Sequence, residues 1–360
     1  MKILYDHQMF TMQKFGGVTR YFAELMACLP NDFDPCLPTG LWSDNYYLRD
    51  TVGYPSRSLN RLKNFRLRRR VYYFMNTKKT IHYTRNGEYD LLHPTWYDPY
   101  VLRNHRKPLV ITVHDLIQER FHKDFLVYDR SAKNKRRMMN EADHIIAVSE
   151  HTKADIVTMA GINPEIISVV HHGYRKTVEP APPMASHYVL YVGDRRKYKN
   201  FTTFIEGMVP LLKEDEHLSV VCAGSPFTES EADFLKRLDI RKNQINALQV
   251  TDAQLMSLYK YADVFVYPSL YEGFGIPILE AFANDCPVCL SKASCFPEVA
   301  GEAAIYFDPH SPEDIGNSVQ EVLKNKATSN RLRELGKKRV ALFTIDKMVA
   351  ETCGVYRTLV

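Results

Sequence analysis

Nowhere does the chain hold a run of about 18 consecutive apolar residues, so no membrane-spanning helix is expected. Its opening residues, Met1-Lys2-Ile3-Leu4-Tyr5-Asp6-His7, pass from apolar to charged at once, and no signal-peptide core is expected either. Cysteine is sparse. Seven residues, an odd number at irregular spacing, argue against a disulfide framework and for reduced thiols in the cytosol. Cys286-Pro287-Val288-Cys289 has no second pair to complete a zinc site, and Cys295 stands at no useful spacing, so the stretch reads as a strand. His171-His172 likewise lacks companions at ligand spacing, and no metal site is expected. The basic segments carry no recognisable nucleic-acid reader motif.

What is present is ordinary for a globular protein: 360 residues, 45% hydrophobic and 25% charged. That length exceeds a single typical core and predicts two domains. The formal charge of +5 is unevenly spread. Residues 1–176 carry 27 Lys and Arg against 18 Asp and Glu, whereas residues 177–360 carry 20 against 24. A basic first half points to an anionic partner there.

The stretch from Asp263 to Ala283 organises the rest. Val264-Phe265-Val266-Tyr267 is a β-branched, apolar run closed by Pro268, as in a buried parallel strand. A loop with Gly273 and Gly275 follows, and Pro277 sits where a helix would begin. In an open α/β sheet ligands bind at the carboxyl ends of strands, and a helix N-terminus there offers free N–H groups to phosphate. Glu272 and Glu280 flank the loop. Carboxylates accept paired hydrogen bonds from vicinal hydroxyls, so phosphate on Gly273, Phe274, Gly275 and Ile276 with hydroxyls on Glu272 and Glu280 describes a nucleotide-sugar site. The alternative is a carboxylate that complements the helix dipole, plus a surface glutamate.

Other stretches repeat this grammar. Lys2–Tyr5 reads as a strand, followed by Gly16-Gly17 and a helix carrying Tyr21, Phe22, Leu25, Met26 and Leu29. Asp32 and Asp34 form an Asp-x-Asp that reads as a turn rather than a metal site. Pro108 to Val113 reads as a strand ending at His114-Asp115, either a site or a cap on the next helix. Residues 179–186, with three prolines in four positions, read as an interdomain linker. Tyr188 to Val192 is a strand, and Asp194-Arg195-Arg196-Lys197-Tyr198-Lys199 places cations at its carboxyl end, where they would neutralise a diphosphate. Val250 precedes a Thr251-Asp252 helix cap.

Together these stretches resemble the family 4 retaining glycosyltransferases, two-domain enzymes of the GT-B architecture, and best over residues 188–310. The Glu, seven residues, Glu arrangement is matched by Glu272 and Glu280; Gly17, His114 and Lys199 also match. The resemblance implies an α/β fold with two Rossmann-like domains facing each other across a cleft: an acceptor-binding domain over 1–178, with 344–360 crossing back, and a nucleotide-sugar-binding domain over 184–343. It implies that Gly17 faces the donor phosphates and that His114 positions or polarises the reacting sugar or the acceptor. Lys199 and an arginine, Arg195 or else Arg196, would meet the diphosphate. Backbone near Val250 would touch the base, Glu280 the ribose and Glu272 the sugar. The usual arginine position, directly after the glycine, holds Asp194 here.

The implied activity is metal-independent hexosyl transfer with retention, with no cofactor beyond the nucleoside-diphosphate sugar. GDP-mannose is the first expectation and a UDP-hexose the second, with a glycan or lipid-linked acceptor in O-antigen, lipopolysaccharide or capsule assembly. The alternatives are an epimerase of the same architecture and a non-catalytic nucleotide-sugar-binding subunit. Residues 57–70 carry seven basic and no acidic residues, interleaved with Leu59, Leu62, Phe65 and Leu67. They read as an anionic-membrane surface or as a solvated basic helix. The expected location is cytoplasmic, peripheral on the inner face of the plasma membrane.

Overall fold

A computed structural model describes residues 1–59, 64–122, 130–176, 178–241 and 243–360. The chain divides into two compact units, Met1–Gly173 with Ile345–Val360, and Tyr174–Thr344. The proline-rich stretch 179–186 lies inside the second unit rather than joining the two. Ala181 donates its N–H to the Ala253 carbonyl (2.9 Å), and Ser257 Oγ donates to the Pro182 carbonyl (3.0 Å).

The first unit holds β1 (Lys2–Tyr5), β2 (Asp34–Cys36), β3 (Leu91–His93), β4 (Val110–Val113), β5 (His144–Ala147) and β6 (Ile167–Val169). They pair in parallel in the orders β2-β1-β3 and β4-β5-β6, and a parallel bridge between Leu92 and Leu109 links the two sets. The central strands are apolar runs buried on both faces, as a helix-covered parallel sheet requires. The C-terminal helix Ile345–Arg357 completes this core through Met348, Val349 and Cys353. Its Tyr356 hydroxyl lies 3.0 Å from that of Tyr5 and 2.6 Å from Nδ1 of His93. The Asp-x-Asp turn anchors the same helix: Asp32 accepts from Arg357 (2.8 Å), and Asp34 begins β2.

The second unit is a single parallel sheet. Its strands are β7 (Tyr188–Val192), β8 (Ser219–Ala223), β9 (Ile245–Leu248), β10 (Val264–Tyr267), β11 (Val288–Ser291) and β12 (Ile305–Phe307), in the order β12-β11-β10-β7-β8-β9. From β7 the chain runs outward to β8 and β9, then returns to β10 on the other side. The order therefore reverses between β7 and β10, the switch point at which open α/β sheets leave a crevice. On the sheet's flank, helices Phe201–Glu214 and Pro312–Lys324 cross at glycines. A methyl on Gly316 would stand 2.6 Å from the Gly207 carbonyl oxygen, and one on Gly207 would strike the Pro312 carbonyl. Gly207→Ala is expected to lower stability by about 1–3 kcal/mol through overpacking. Urea unfolding followed by circular dichroism measures it, and an unchanged midpoint would contradict this contact.

The core of the first unit also takes its histidines neutral. Burial pulls His7, His93 and His114 down to about 3, and holds His172 well below its ordinary value. Unfolded histidine takes its proton near pH 6.5, so this contribution is complete above 6.5 and is lost as pH falls toward 3. Each group then weakens the fold by up to about 1.4 kcal/mol per pH unit below 6.5. Thermal melts between pH 7 and 5 should show a steep fall in midpoint, made shallower by His93→Gln. A flat profile would contradict the neutral burial.

Candidate active site

The carboxyl ends of β7 and β10 meet at an ion pair. Lys199 Nζ lies 2.6 Å from Oε1 of Glu272, and the two side chains are only 13% and 10% exposed. Lys199 reaches that position because residues Lys197–Lys199 form one 3-10 turn, ended by Asn200 in the left-handed region (φ +57°). Asn200 Nδ2 donates to the Pro309 carbonyl (2.6 Å), which fixes the bend. The ammonium also donates to the Tyr267 hydroxyl (3.4 Å) and lies over the Tyr267 and Tyr198 rings. Burial first, then the Glu272 carboxylate, holds the Tyr267 hydroxyl well above its ordinary range, so it stays protonated. The two loops are tied again by the Leu270 N–H on the Tyr198 carbonyl (2.7 Å).

Beyond Glu272 the chain passes Gly273 and Phe274 to Gly275, whose φ of +93° excludes an ordinary side chain. Helix Ile276–Ala283 starts there, with Pro277 in its first turn. Its first turn carries no acidic residue, so Glu280, one turn further along, does not play the dipole-complementing part. It is half-buried and accepts from the Tyr259 hydroxyl at 3.1 Å. The Ser269 hydroxyl, beside β10, is buried with no hydrogen-bond partner among the described residues. Val250 is half-buried between β9 and the Thr251–Gln254 capping box.

Two residues of this loop's support escaped the sequence reading. Ser294 Oγ accepts the Glu272 N–H (3.2 Å), and the Cys295 thiol donates to the carbonyls of Glu272 (3.3 Å) and Phe274 (3.2 Å). Both follow β11, more than twenty residues downstream, and no local pattern announces them. All seven cysteines are free thiols.

The two arginines differ in their commitments. Arg195 is turned onto the β8 side, where Nε lies 2.9 Å from Glu231 and Nη2 donates to Glu231, Ser225 and Pro226 oxygens. Its guanidinium packs over Phe227 and Phe201, and Nη1 is buried without a hydrogen-bond partner among the described residues. Arg196 is 60% exposed and paired with Asp194 at 3.2 Å. The structure therefore joins Lys199 directly to Glu272, whereas Arg195 braces the helix that Glu231 caps.

In the first unit, Gly17 opens the helix Gly17–Ala27, and a Cβ there would meet nothing within 4 Å. His114 follows β4 and is buried, and among the described residues its Nε2 has no hydrogen-bond partner. Its ring stacks on His172 (5.5 Å, 10°), with Tyr21 edge-on to both. Asp115 performs the capping part of the His-Asp pair: it accepts the Ile117 N–H (3.1 Å) while buried Lys135 holds its carbonyl (2.8 Å).

Comparison with known proteins bears on the family and the fold. The family described as Glycosyltransferase Family 4 matches residues 15–176, and that described as Glycosyl transferases group 1 matches residues 176–339. The chain is 27% identical over 319 residues, 86% of each chain, to the O-antigen chain mannosyltransferase RfbU of Salmonella typhimurium. It is 26% identical to the O-antigen chain mannosyltransferase B of Escherichia coli, over 74% of this chain and 73% of that one. Among solved structures, Anabaena Alr3699/HepE in complex with UDP and glucose matches with a TM-score of 0.72 at 16% identity, covering 98% and 99% of the two chains. The lipopolysaccharide outer core galactosyltransferase WaaB matches over all of both chains with a TM-score of 0.67 at 15% identity. At those identities the structural likeness speaks for the fold. With the two family matches placed end to end, the chain belongs to the GT-B glycosyltransferases that join a family 4 domain to a group 1 domain.

Proposed function

We propose that the protein transfers a hexose from a nucleoside-diphosphate sugar, GDP-mannose first and a UDP-hexose second, to a hydroxyl of a glycan or lipid-linked acceptor in surface-polysaccharide assembly, with retention of configuration. The observation that carries this reading is the buried Lys199–Glu272 pair beside the N-terminus of helix Ile276–Ala283. An ammonium has three donors, and its two contacts leave one for a diphosphate oxygen. The N–H groups of Gly273 to Ile276 supply further donors to phosphate. Glu280 takes the ribose hydroxyls and Glu272 the sugar hydroxyls, backbone near Val250 meets the base, and Gly17 leaves its backbone open to a phosphate. Arg195 acts through the brace on Glu231, with Nη1 as its remaining donor.

In the step itself the acceptor oxygen bonds to the anomeric carbon as the bond from that carbon to phosphate breaks. The acceptor proton passes to the leaving phosphate oxygen on the same face, so neither a protein nucleophile nor a metal is called on. Fixed positive charge stabilises the leaving diphosphate as it forms. His114, neutral through burial, offers Nε2 to a hydroxyl of the acceptor. The mannosyltransferase names of the relatives favour GDP-mannose.

A peripheral membrane position belongs to the same reading. Among the described residues no helix is long and apolar enough to cross a membrane. The basic segment lies partly outside the described residues, at 60–63. Of the rest, Arg68 is paired with Asp44 (3.0 Å), while Arg66, Arg69 and Arg70 are exposed beside Leu67. Each cation near an anionic leaflet contributes about 1 kcal/mol. An epimerase would convert donor with no acceptor present, and a binding subunit would turn over nothing. Incubation of GDP-mannose and UDP-hexoses with lipid-phosphate saccharides, read by product NMR, separates the three. The expected product is the α-linked glycoside, with Glu272→Gln slower by about a hundredfold or more. Conversion of donor without acceptor, or an equally active Glu272→Gln, would overturn the reading.

A further inference from the structure

A cavity of about 570 Å³ lies within the first unit. Tyr73, Phe74, Trp96 and Tyr97 line it together with Arg69 and Arg70. Its elements place it on the sheet's ligand side. Helix Phe65–Asn86 contributes from its first half, after β2; the loop 94–98 follows β3 directly; and helix Ser131–Glu141 contributes from its first turn, ahead of β5. All are segments at the carboxyl ends of the strands, where α/β sheets bind ligands.

The wall chemistry is specific. Apolar faces surround a few polar groups, Asp98, Ser131 and Asn134, which is the composition of a small-molecule site. Trp96 and Tyr97 pack together with ring centroids 4.5 Å apart. Tyr97 is itself buried in the core behind Trp96, and the half-buried Trp96 ring suits the C–H face of a sugar, whose hydroxyls Asp98 and Asn134 can bond. Asp98 is itself fixed by the Tyr73 hydroxyl and the Tyr100 N–H. Arg69 and Arg70 are exposed, neither forms an ion pair among the described residues, and both line the cavity. Phe74 is 61% exposed beside them. The cavity is also wired to the reacting end of the unit: Tyr97 accepts the backbone N–H of His114 (3.2 Å) and donates to the Thr112 carbonyl (3.0 Å).

We propose that this cavity is the acceptor pocket and that its ligand is a glycosyl phosphate, with the saccharide against Trp96 and its phosphate on Arg69 and Arg70. The assignment of the cavity to the acceptor rests on the transferase reading above; the ligand chemistry rests on the cavity itself. Two guanidinium groups suit phosphate because each offers paired donors.

The chain has two tryptophans, Trp42 and Trp96. Trp42 stacks on Tyr72 and does not line the cavity, so Trp42→Phe leaves Trp96 as the sole indole reporter. In that background, titration with aldose 1-phosphates (mannose, glucose, galactose, N-acetylglucosamine) should change Trp96 emission saturably for at least one of them. Arg69→Gln/Arg70→Gln should raise the midpoint about tenfold or more, and both groups are exposed, so the fold is not at stake. The free sugar and inorganic phosphate should each bind more weakly by a similar factor. No emission change with any aldose 1-phosphate, an equal response to inorganic phosphate, or an unmoved midpoint in the double variant would each overturn the proposal. Nucleotide binding is a separate readout. A chain that binds nucleotide but gives no Trp96 response refutes the pocket alone. One that responds through Trp96 but binds no nucleotide refutes the transfer reading and leaves the ligand assignment standing.

Discussion

A lysine and a glutamate 2.6 Å apart, each about nine-tenths buried, set the geometry of the second unit's site. Burying such a pair costs desolvation that its mutual attraction only partly repays, and breaking it leaves an uncompensated charge. The pair therefore constrains everything around it. The turn that ends at Asn200 must deliver Lys199, and the loop after β10 must deliver Glu272. Tyr267 must stay protonated beside both, and Ser294 and Cys295 must hold the loop from below. A ligand that brings phosphate to the lysine and hydroxyls to the carboxylate satisfies both partners without separating them.

The first unit is built on a different constraint. Its interior is threaded by polar groups that are satisfied in pairs: Tyr5 with Tyr356, Tyr356 and Thr112 with His93, Asn76 with Thr11 and Trp42. Neutral histidines fit that interior because each ring can donate from one nitrogen and accept at the other. Among the described residues His114 Nε2, where β4 ends, is one of several buried polar atoms of this unit outside that pairing.

The stretch around Glu272 was legible in sequence because each of its features is local. An apolar β-branched run makes β10, Gly275 supplies the left-handed residue, and Pro277 starts the helix. β7 and β11 were legible for the same reason, whereas β9 and β12, short and only partly buried, were not read as strands. Arg195 was not, because its placement depends on Glu231 and Phe227 more than thirty residues away. Nor were Ser294 and Cys295, whose bonds to the loop form only once β11 is paired with β10. Helix Phe65–Asn86 resisted reading for another reason. Its buried stripe is Tyr72, Asn76, Thr80 and Thr84, whereas Leu67 and Phe74 are exposed, so the usual apolar periodicity is absent. Polar burial is paid for there by bonds such as Asn76 to Trp42, which no window of sequence displays.

The central claim is that the carboxyl ends of β7 and β10 hold a nucleoside-diphosphate sugar. A thermal-shift comparison of the native chain with Glu280→Ala, across GDP, UDP and ADP and their sugars, tests it most directly. A ligand at a hundred times its dissociation constant stabilises by about 2.7 kcal/mol, well within detection. The account predicts a shift with one base, strongest for its sugar conjugate and lost in Glu280→Ala. No shift with any nucleotide, or an equal shift in the variant, would contradict it.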